Sequence, residues 1–128
     1  MNSLKSPHVN PLFWQKRQQV NDFKKQIPMF AQLMDITTTC MKNNPHLQND
    51  VKGAIQCETI HPQTMSKFTN FTFHTHPHTD IDYPSDVDKQ TTNNLNKDWL
   101  LIGLPARKTV AVYHRSDNFS KKYATLSV

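Results

Sequence analysis

The sequence predicts an α+β fold in which a mixed β-sheet is flanked by helices. Three observations support that prediction. Residues 13–43 place apolar side chains at helical spacing, residues 67–76 alternate aromatic and polar side chains, and residues 99–116 contain two short apolar segments. A helical period that gives way to an alternating one within 128 residues is typical of helices packed on a sheet.

The predicted order of elements is helix, helix, strand, strand, helix, strand, strand. Their expected ranges are 13–26, 29–43, 51–60, 67–76, 83–98, 99–105 and 108–116. Pro28 suits the first turn of the second helix, and Pro84 with Ser85 suits the start of the third. The tail, 117–128, is expected either to add one more strand or to fray.

Length and composition narrow the domain organisation and the functional class. A chain of 128 residues predicts one domain, in which an arm and helices of residues 1–44 pack on a core of residues 45–128. With only 2 glycines, the chain contains no glycine-rich phosphate-binding loop. The net charge of +5 is compatible with nucleic acid, but its positive residues are scattered, so nucleic-acid binding is not expected.

Cysteine usage and hydropathy bear on the compartment. Cys40 and Cys57 do not form a C-x-x-C motif, and we expect two reduced thiols rather than a disulfide. No stretch approaches the ~20 apolar residues that span a bilayer, and residues 1–11 contain no apolar signal core. The sequence therefore predicts a soluble cytoplasmic protein.

The most informative stretch is residues 71–89, FTFHTHPHTDIDYPSDVDK. It places His74 and His76 on one face of a predicted strand, about 6.6–6.8 Å apart along the backbone. Asp88 follows in the first turn of the next predicted helix, and Ser85 lies three residues earlier on the same helical face. Two imidazoles and one carboxylate, with a fourth position left to water, are a familiar catalytic zinc set. A polar loop that is rich in histidine by chance is the alternative, and the combined spacing disfavours it.

These residues resemble the motif of the JAMM (MPN-domain) metallopeptidase family. That motif is His-x-His-Pro, a spacer, and then Ser-x-x-Asp; HTHP is residues 74–77 here and SDVD is residues 85–88. The resemblance covers residues 45–116. It implies a compact mixed sheet flanked by helices, which is cytidine-deaminase-like, with a helical N-terminal extension.

The resemblance also implies roles for the four polar residues and an activity. His74, His76 and Asp88 would bind Zn2+, and Ser85 would stabilise the oxyanion. The implied activity is zinc-dependent hydrolysis of an amide bond. Its substrate would be an isopeptide bond between a ubiquitin-like modifier and a lysine, or a short linear peptide.

Two departures from the family pattern concern the spacer and the general base. The spacer before Ser85 is one residue longer than the common pattern. The family places a glutamate in Glu-x-x-Gly, where this chain has Asp50 in DVKG. Glu58 is the other candidate base, but it lies about 26 Å from Asp50 along a regular strand, so the two do not share a site.

Three alternative functions remain open at this point. The first is a catalytically degenerate binding or scaffold module of the same fold, which Asp50 in place of glutamate favours. The second is a DNA-associated role, which the basic charge favours but which Thr75 disfavours, since relatives of that kind carry Asn between the two histidines. The third is a cell-wall or phage-tail peptidase.

Overall fold

The described part of the molecule is an α+β structure of three α-helices and four strands. The computed structural model describes residues 11–43, 70–77 and 79–128. The helices are α1 (Pro11–Lys25), α2 (Ile27–Asn43) and α3 (Asp86–Asn94). The strands are β1 (Phe71–Thr75), β2 (Trp99–Leu104), β3 (Thr109–His114) and β4 (Lys122–Ser127). This mixture confirms the predicted α+β class.

The four strands form one mixed sheet in the order β1-β2-β3-β4. Strands β1 and β2 are parallel, with Phe71 opposite Trp99 and Thr75 opposite Gly103. Helix α3 supplies the crossover that a parallel pair requires. Strands β2, β3 and β4 are successive antiparallel neighbours, so β2 and β3 form a hairpin. The carboxyl end of β1 therefore leads directly to the start of α3.

The sheet buries apolar side chains on both faces, because successive residues of a strand point to opposite sides. The face covered by α1 and α2 contains Val20, Phe23, Phe30, Met34, Phe71, Phe73, Trp99, Leu101, Val110, Val112 and Leu126. The face toward α3 contains Leu100, Ile102, Leu104, Ala111, Tyr113 and Phe119. Every residue of β2 is buried, as its continuous apolar run predicted.

An aromatic cluster joins α1 and α2 to the sheet. The ring of Phe23 lies 5.4 Å from the rings of Phe71 and Trp99, edge to face in both pairs. Phe30 stacks on Phe73 at 5.3 Å, with the ring planes 12° apart. These contacts bury Phe23 of α1 and Phe30 of α2 against the sheet.

Gly103 allows the close approach of this cluster beside the last residues of β1. A Cβ atom at Gly103 would lie 2.8 Å from Cζ of Phe73 and 3.0 Å from Sδ of Met34, so the position has no room for a side chain. The carbonyl of Gly103 also accepts a 2.9 Å hydrogen bond from the backbone N–H of His76. Backbone pairing thus continues one residue past the end of β1 and holds His76 in line with the strand.

The structure corrects the end of the third helix. The third helix ends at Asn94, earlier than the expected residue 98, because Asn96 adopts a left-handed conformation (φ 55°). The N–H groups of Asn96 and Lys97 then bond to the carbonyls of Asn93 and Thr92, which is a Schellman ending. The tail forms β4, which is the first of the two outcomes expected for it. The predicted strand 51–60 lies outside the described residues, as do residues 67–69 of the next predicted strand.

A further correction concerns Cys40, which is disulfide-bonded rather than a free thiol. The other cysteine of the chain, Cys57, lies outside the described residues. Separately, no helix within the described stretches has the length and apolar character of a membrane-spanning segment.

Candidate metal centre

The candidate site lies where β1 ends and α3 begins. Alternation along β1 directs Phe71 and Phe73 toward α1 and α2, and directs Thr72 and His74 toward α3. This is the division of faces that the sequence predicted. Sites in folds with parallel strands commonly form at the carboxyl ends of those strands, where loops bring polar groups together.

The first turn of α3 fixes the orientation of Asp88. Ser85 is the N-cap, and its hydroxyl oxygen accepts a hydrogen bond from the backbone N–H of Asp88 at 3.1 Å. The Asp88 carboxylate accepts in return from the backbone N–H of Ser85 at 3.0 Å. This reciprocal capping box confirms the predicted helix start, and it holds the carboxylate beside the N-terminus of α3, where the helix dipole favours negative charge.

The three predicted ligands lie next to one another. Nδ1 of His74 is 3.5 Å from Oδ1 of Asp88, and Nε2 of His76 is 3.1 Å from Oδ2 of the same carboxylate. The three side chains are 15%, 18% and 13% exposed, in the order His74, His76, Asp88. The sequence-predicted cluster is therefore assembled and largely shielded from solvent.

A backbone carbonyl fixes the proton on His76. Nδ1 of His76 lies 2.8 Å from the carbonyl oxygen of Ile81, which can only accept, so Nδ1 carries the hydrogen. In the neutral ring, Nε2 then presents a lone pair to the Asp88 carboxylate at 3.1 Å. Two acceptors at that distance repel unless a cation, either a proton or a metal ion, lies between them. A carbonyl that orients a histidine in this way is the usual outer partner of a metal-binding imidazole.

Burial and mutual charge shift the titration of the cluster. Burial lowers the pKa of His74 below its usual 6.5, and the nearby His76 lowers it further, while the charge of Asp88 opposes them. For Asp88, burial alone would raise the pKa, but a hydrogen bond from the protonated His76 ring, the charge of His74 and the hydrogen bond from the backbone N–H of Ser85 hold the pKa below 3.8. A neutral imidazole at His74 and a carboxylate at Asp88 are the forms that bind metal.

His74 has a second ring nitrogen, Nε2, besides the Nδ1 that contacts Asp88. Its Nε2 atom is buried and has no hydrogen-bond partner among the described residues. Buried polar atoms nearly always have a partner. A ring nitrogen of this kind donates to an acceptor when it carries the hydrogen, and it accepts from a donor or binds a cation when it does not.

The side chains do not yet converge on one point. Within residues 11–43, 70–77 and 79–128, no group of three or more His, Cys, Asp or Glu side chains has the geometry to hold a metal ion. The two oxygens of Asp88 face different imidazoles, whereas a shared ion needs both nitrogens and one oxygen around it. Neighbouring ligands of a tetrahedral zinc lie about 3.3–3.4 Å apart, which follows from zinc–nitrogen bonds of about 2.0–2.1 Å. The observed 3.1 and 3.5 Å lie on either side of that value. Two imidazoles and one carboxylate are also residue types that bind zinc in proteins.

The loop between His76 and Ser85 is tied to β3, to β4 and to the turn between β2 and β3 by contacts that the sequence did not predict. Asp80 pairs with Arg107 at 2.8 Å, and Asp82 pairs with Lys122 at 2.5 Å. The buried Tyr113 hydroxyl donates to the backbone carbonyl of Asp82 at 2.8 Å. The one-residue extension of the spacer is thus accommodated in a loop held at several points. His78, in the same loop, lies outside the described residues, as do both candidate bases, Asp50 and Glu58.

The metal-free protein is expected to lose stability as the pH falls below about 6.5, through His74. The unfolded chain takes up a proton at this residue near pH 6.5, whereas burial keeps the folded ring neutral to lower pH. The unfolded state then binds more protons, so the free energy of unfolding decreases until the pH reaches the folded-state pKa. His114, whose pKa burial also lowers, contributes with the same sign.

Urea unfolding with a chelator present, between about pH 7 and pH 5, measures this effect. His74→Gln should reduce the pH slope by up to about 1.4 kcal/mol per pH unit. His114→Gln is the matched control and should remove only the smaller part that belongs to that half-buried ring. Identical slopes for the wild type and His74→Gln would contradict the prediction.

Comparisons of the chain with protein-family models, with curated proteins and with solved structures find no match. The likeness to the metallopeptidase family therefore depends on the motif and its spacing. The contacts among His74, His76 and Asp88 add an independent structural observation to that motif.

Proposed function

We propose that this chain is a zinc-dependent metallopeptidase of the JAMM (MPN-domain) type. It hydrolyses an amide or isopeptide bond of a protein or peptide substrate, such as a conjugate of a ubiquitin-like modifier. The supporting observation is the contact of both histidines of HTHP with the aspartate of SDVD at the carboxyl end of β1. The β1–α3–β2 unit that positions them supports the finer proposal of a cytidine-deaminase-like fold.

Three residues of the chain would hold the zinc ion. His76 offers Nε2, because Ile81 holds the hydrogen on Nδ1. His74 offers a neutral imidazole, and Asp88 offers an ionised carboxylate. Zinc bound to such a set supplies Lewis-acid activation of a water molecule and of the scissile carbonyl.

Ser85 is placed to bind the developing oxyanion. Its oxygen accepts from the backbone N–H of Asp88, which leaves its own hydroxyl hydrogen free to donate elsewhere. The side chain is exposed at the N-terminus of α3, where the helix dipole favours negative charge. A hydroxyl held there in advance donates to the oxyanion without reorganisation, which is the source of its catalytic effect.

Asp50 is the proposed general base. It would accept a proton from the attacking water and return it to the leaving amine. Its side chain is one methylene shorter than the glutamate of the family motif. Whether this carboxylate reaches the attacking water therefore decides the rate of hydrolysis. The second candidate function, a catalytically degenerate binding module, is favoured by this replacement.

Metal content and hydrolysis together test the proposal. Elemental analysis of the purified wild-type protein should find about one zinc per chain, and a chelator should remove it. The zinc-loaded protein should cleave a ubiquitin-like modifier joined to a lysine side chain, or a linear peptide, and the chelator should stop cleavage. No zinc after zinc has been supplied would overturn the metallopeptidase assignment. Zinc without cleavage in the wild type, but with cleavage in Asp50→Glu, would establish the degenerate module.

A further inference from the structure

We infer that Thr72 and Thr92 are positioning residues for the metal centre. Two hydroxyl hydrogen bonds in series hold the first turn of α3, and therefore Asp88, against β1. Neither threonine belongs to the family motif. The inference rests on the proposed function, since it assigns the pair to the zinc site.

The direction of the two hydrogen bonds is fixed by the number of hydrogens. Thr92 donates its hydroxyl hydrogen to the backbone carbonyl of Asp88 at 2.9 Å. A threonine hydroxyl has only one hydrogen, so Thr92 must accept in its 2.6 Å contact with the Thr72 hydroxyl. The hydrogen bonds therefore run from Thr72 to Thr92 and from Thr92 to Asp88. Thr92 is fully buried and Thr72 is 7% exposed, so solvent does not compete for either hydroxyl.

The spacing along the strand matches the spacing along the helix. Thr72 and His74 lie two residues apart on one face of β1, about 6.7 Å along the strand. Thr92 and Asp88 lie four residues apart on one face of α3, about 6 Å along the helix axis. The helix therefore runs back along the strand, so that Thr92 lies beside Thr72 and Asp88 lies beside His74. The hydrogen bond between Thr72 and Thr92 therefore sets the distance between His74 and Asp88.

Among the described residues, the large apolar side chains of α3 and its end are mostly exposed. Thr92 is the buried residue of α3. The valine of the helix, Val87, is 64% exposed, and Leu95, directly after the helix, is 40% exposed. Non-directional apolar contacts would in any case permit sliding, whereas two short hydrogen bonds in series do not. The threonine pair therefore sets the register of α3 along β1, while the capping box with Ser85 orients the Asp88 side chain within that register.

Zinc affinity of matched variants tests the inference. Thr92→Val keeps the shape of the side chain and removes the hydroxyl; we expect about tenfold weaker zinc binding in competition with a chromogenic chelator, which is typical of the loss of an outer-shell contact. Thr72→Val should weaken zinc binding in the same direction, and Thr92→Ser, which keeps the hydroxyl, should bind like the wild type. Thr37→Val is the control, because Thr37 is fully buried on α2 and donates to the carbonyl of Leu33 in the same i to i−4 arrangement.

The pattern across these variants separates positioning from general stability. Thermal unfolding should show similar losses for Thr92→Val and Thr37→Val, while only the former loses zinc affinity. Wild-type affinity in Thr92→Val, an equal loss in Thr37→Val, or failure of Thr92→Ser to restore binding would each overturn the inference. If Thr92→Val does not fold, Thr72→Val and Thr92→Ser still decide it.

A metal-free measurement keeps this inference separate from the proposed function. Imidazole nitrogen signals of His74 and His76, recorded by NMR in the presence of a chelator, report the contact of each ring with Asp88. Thr92→Val should shift these signals and Thr37→Val should not. Unshifted signals in Thr92→Val would overturn the inference even if the wild type binds zinc. If the wild type binds no zinc, the proposed function fails, and the role of the two threonines in a zinc site fails with it. Shifted imidazole signals in Thr92→Val would then establish only that the threonines hold Asp88 in place.

Discussion

Asp88→Ala is expected to abolish stoichiometric zinc binding. The carboxylate of Asp88 contacts both imidazoles, and it is the one negative charge that the described residues place against them. Without it, two neutral imidazoles remain. Loss of a direct ligand should exceed the loss seen for an outer-shell partner, so zinc affinity should fall by more than about 100-fold. Elemental analysis and chelator competition on the purified variant measure the change.

Two controls make this experiment specific. Asp80→Ala removes a carboxylate from the neighbouring loop, but Asp80 is 68% exposed and pairs with Arg107 instead of the histidines, so zinc should stay bound. His78→Ala removes a histidine two positions beyond His76 and should also leave zinc bound. His74→Ala should behave like Asp88→Ala. Stoichiometric zinc in His74→Ala or in Asp88→Ala would show that other residues hold the ion.

The parts of the fold that the sequence predicted well are those determined by local periodicity. Apolar spacing predicts α1, α2, β2 and β3. Each helix buries one apolar stripe, and the two strands bury most or all of a short apolar segment. The end of α3 did not follow, because it depends on the left-handed conformation of Asn96, which the sequence permits but does not require. The disulfide at Cys40 was missed for a similar reason, since no local spacing reports a distant partner.

The candidate site was predictable because its chemistry is concentrated in a short stretch. His74 and His76 share a strand face, and Asp88 follows in the next helical turn, only 12 positions after the second histidine. The contacts that hold these groups depend on distant strands and could not be derived from spacing. Tyr113, for example, is 31 positions from Asp82 in sequence. The sequence did contain a signal for Thr72, because this residue lies two positions before His74 and therefore on the same face of the predicted strand.

Ser85→Ala is expected to reduce hydrolysis by about 100- to 1000-fold while zinc remains bound, because the variant loses a donor to the oxyanion but no metal ligand. The substitution also removes the N-cap acceptor for the backbone N–H of Asp88, at a cost of about 1 kcal/mol in the free energy of unfolding. The two effects can be separated. Glycine at an N-cap costs only a few tenths of a kcal/mol relative to serine. Ser85→Gly should therefore be more stable than Ser85→Ala and equally slow.

A hydroxyl-retaining variant completes the test of Ser85. Threonine also caps helices, and its hydroxyl can donate as the serine hydroxyl does, so Ser85→Thr should recover much of the rate. Steady-state hydrolysis at saturating zinc gives kcat and KM, and urea unfolding gives the stability of each variant. Rates that follow the hydroxyl across the four proteins would identify Ser85 as the oxyanion donor. Rates that follow the stability instead would reduce Ser85 to a helix cap, whose contribution is to hold Asp88 in place.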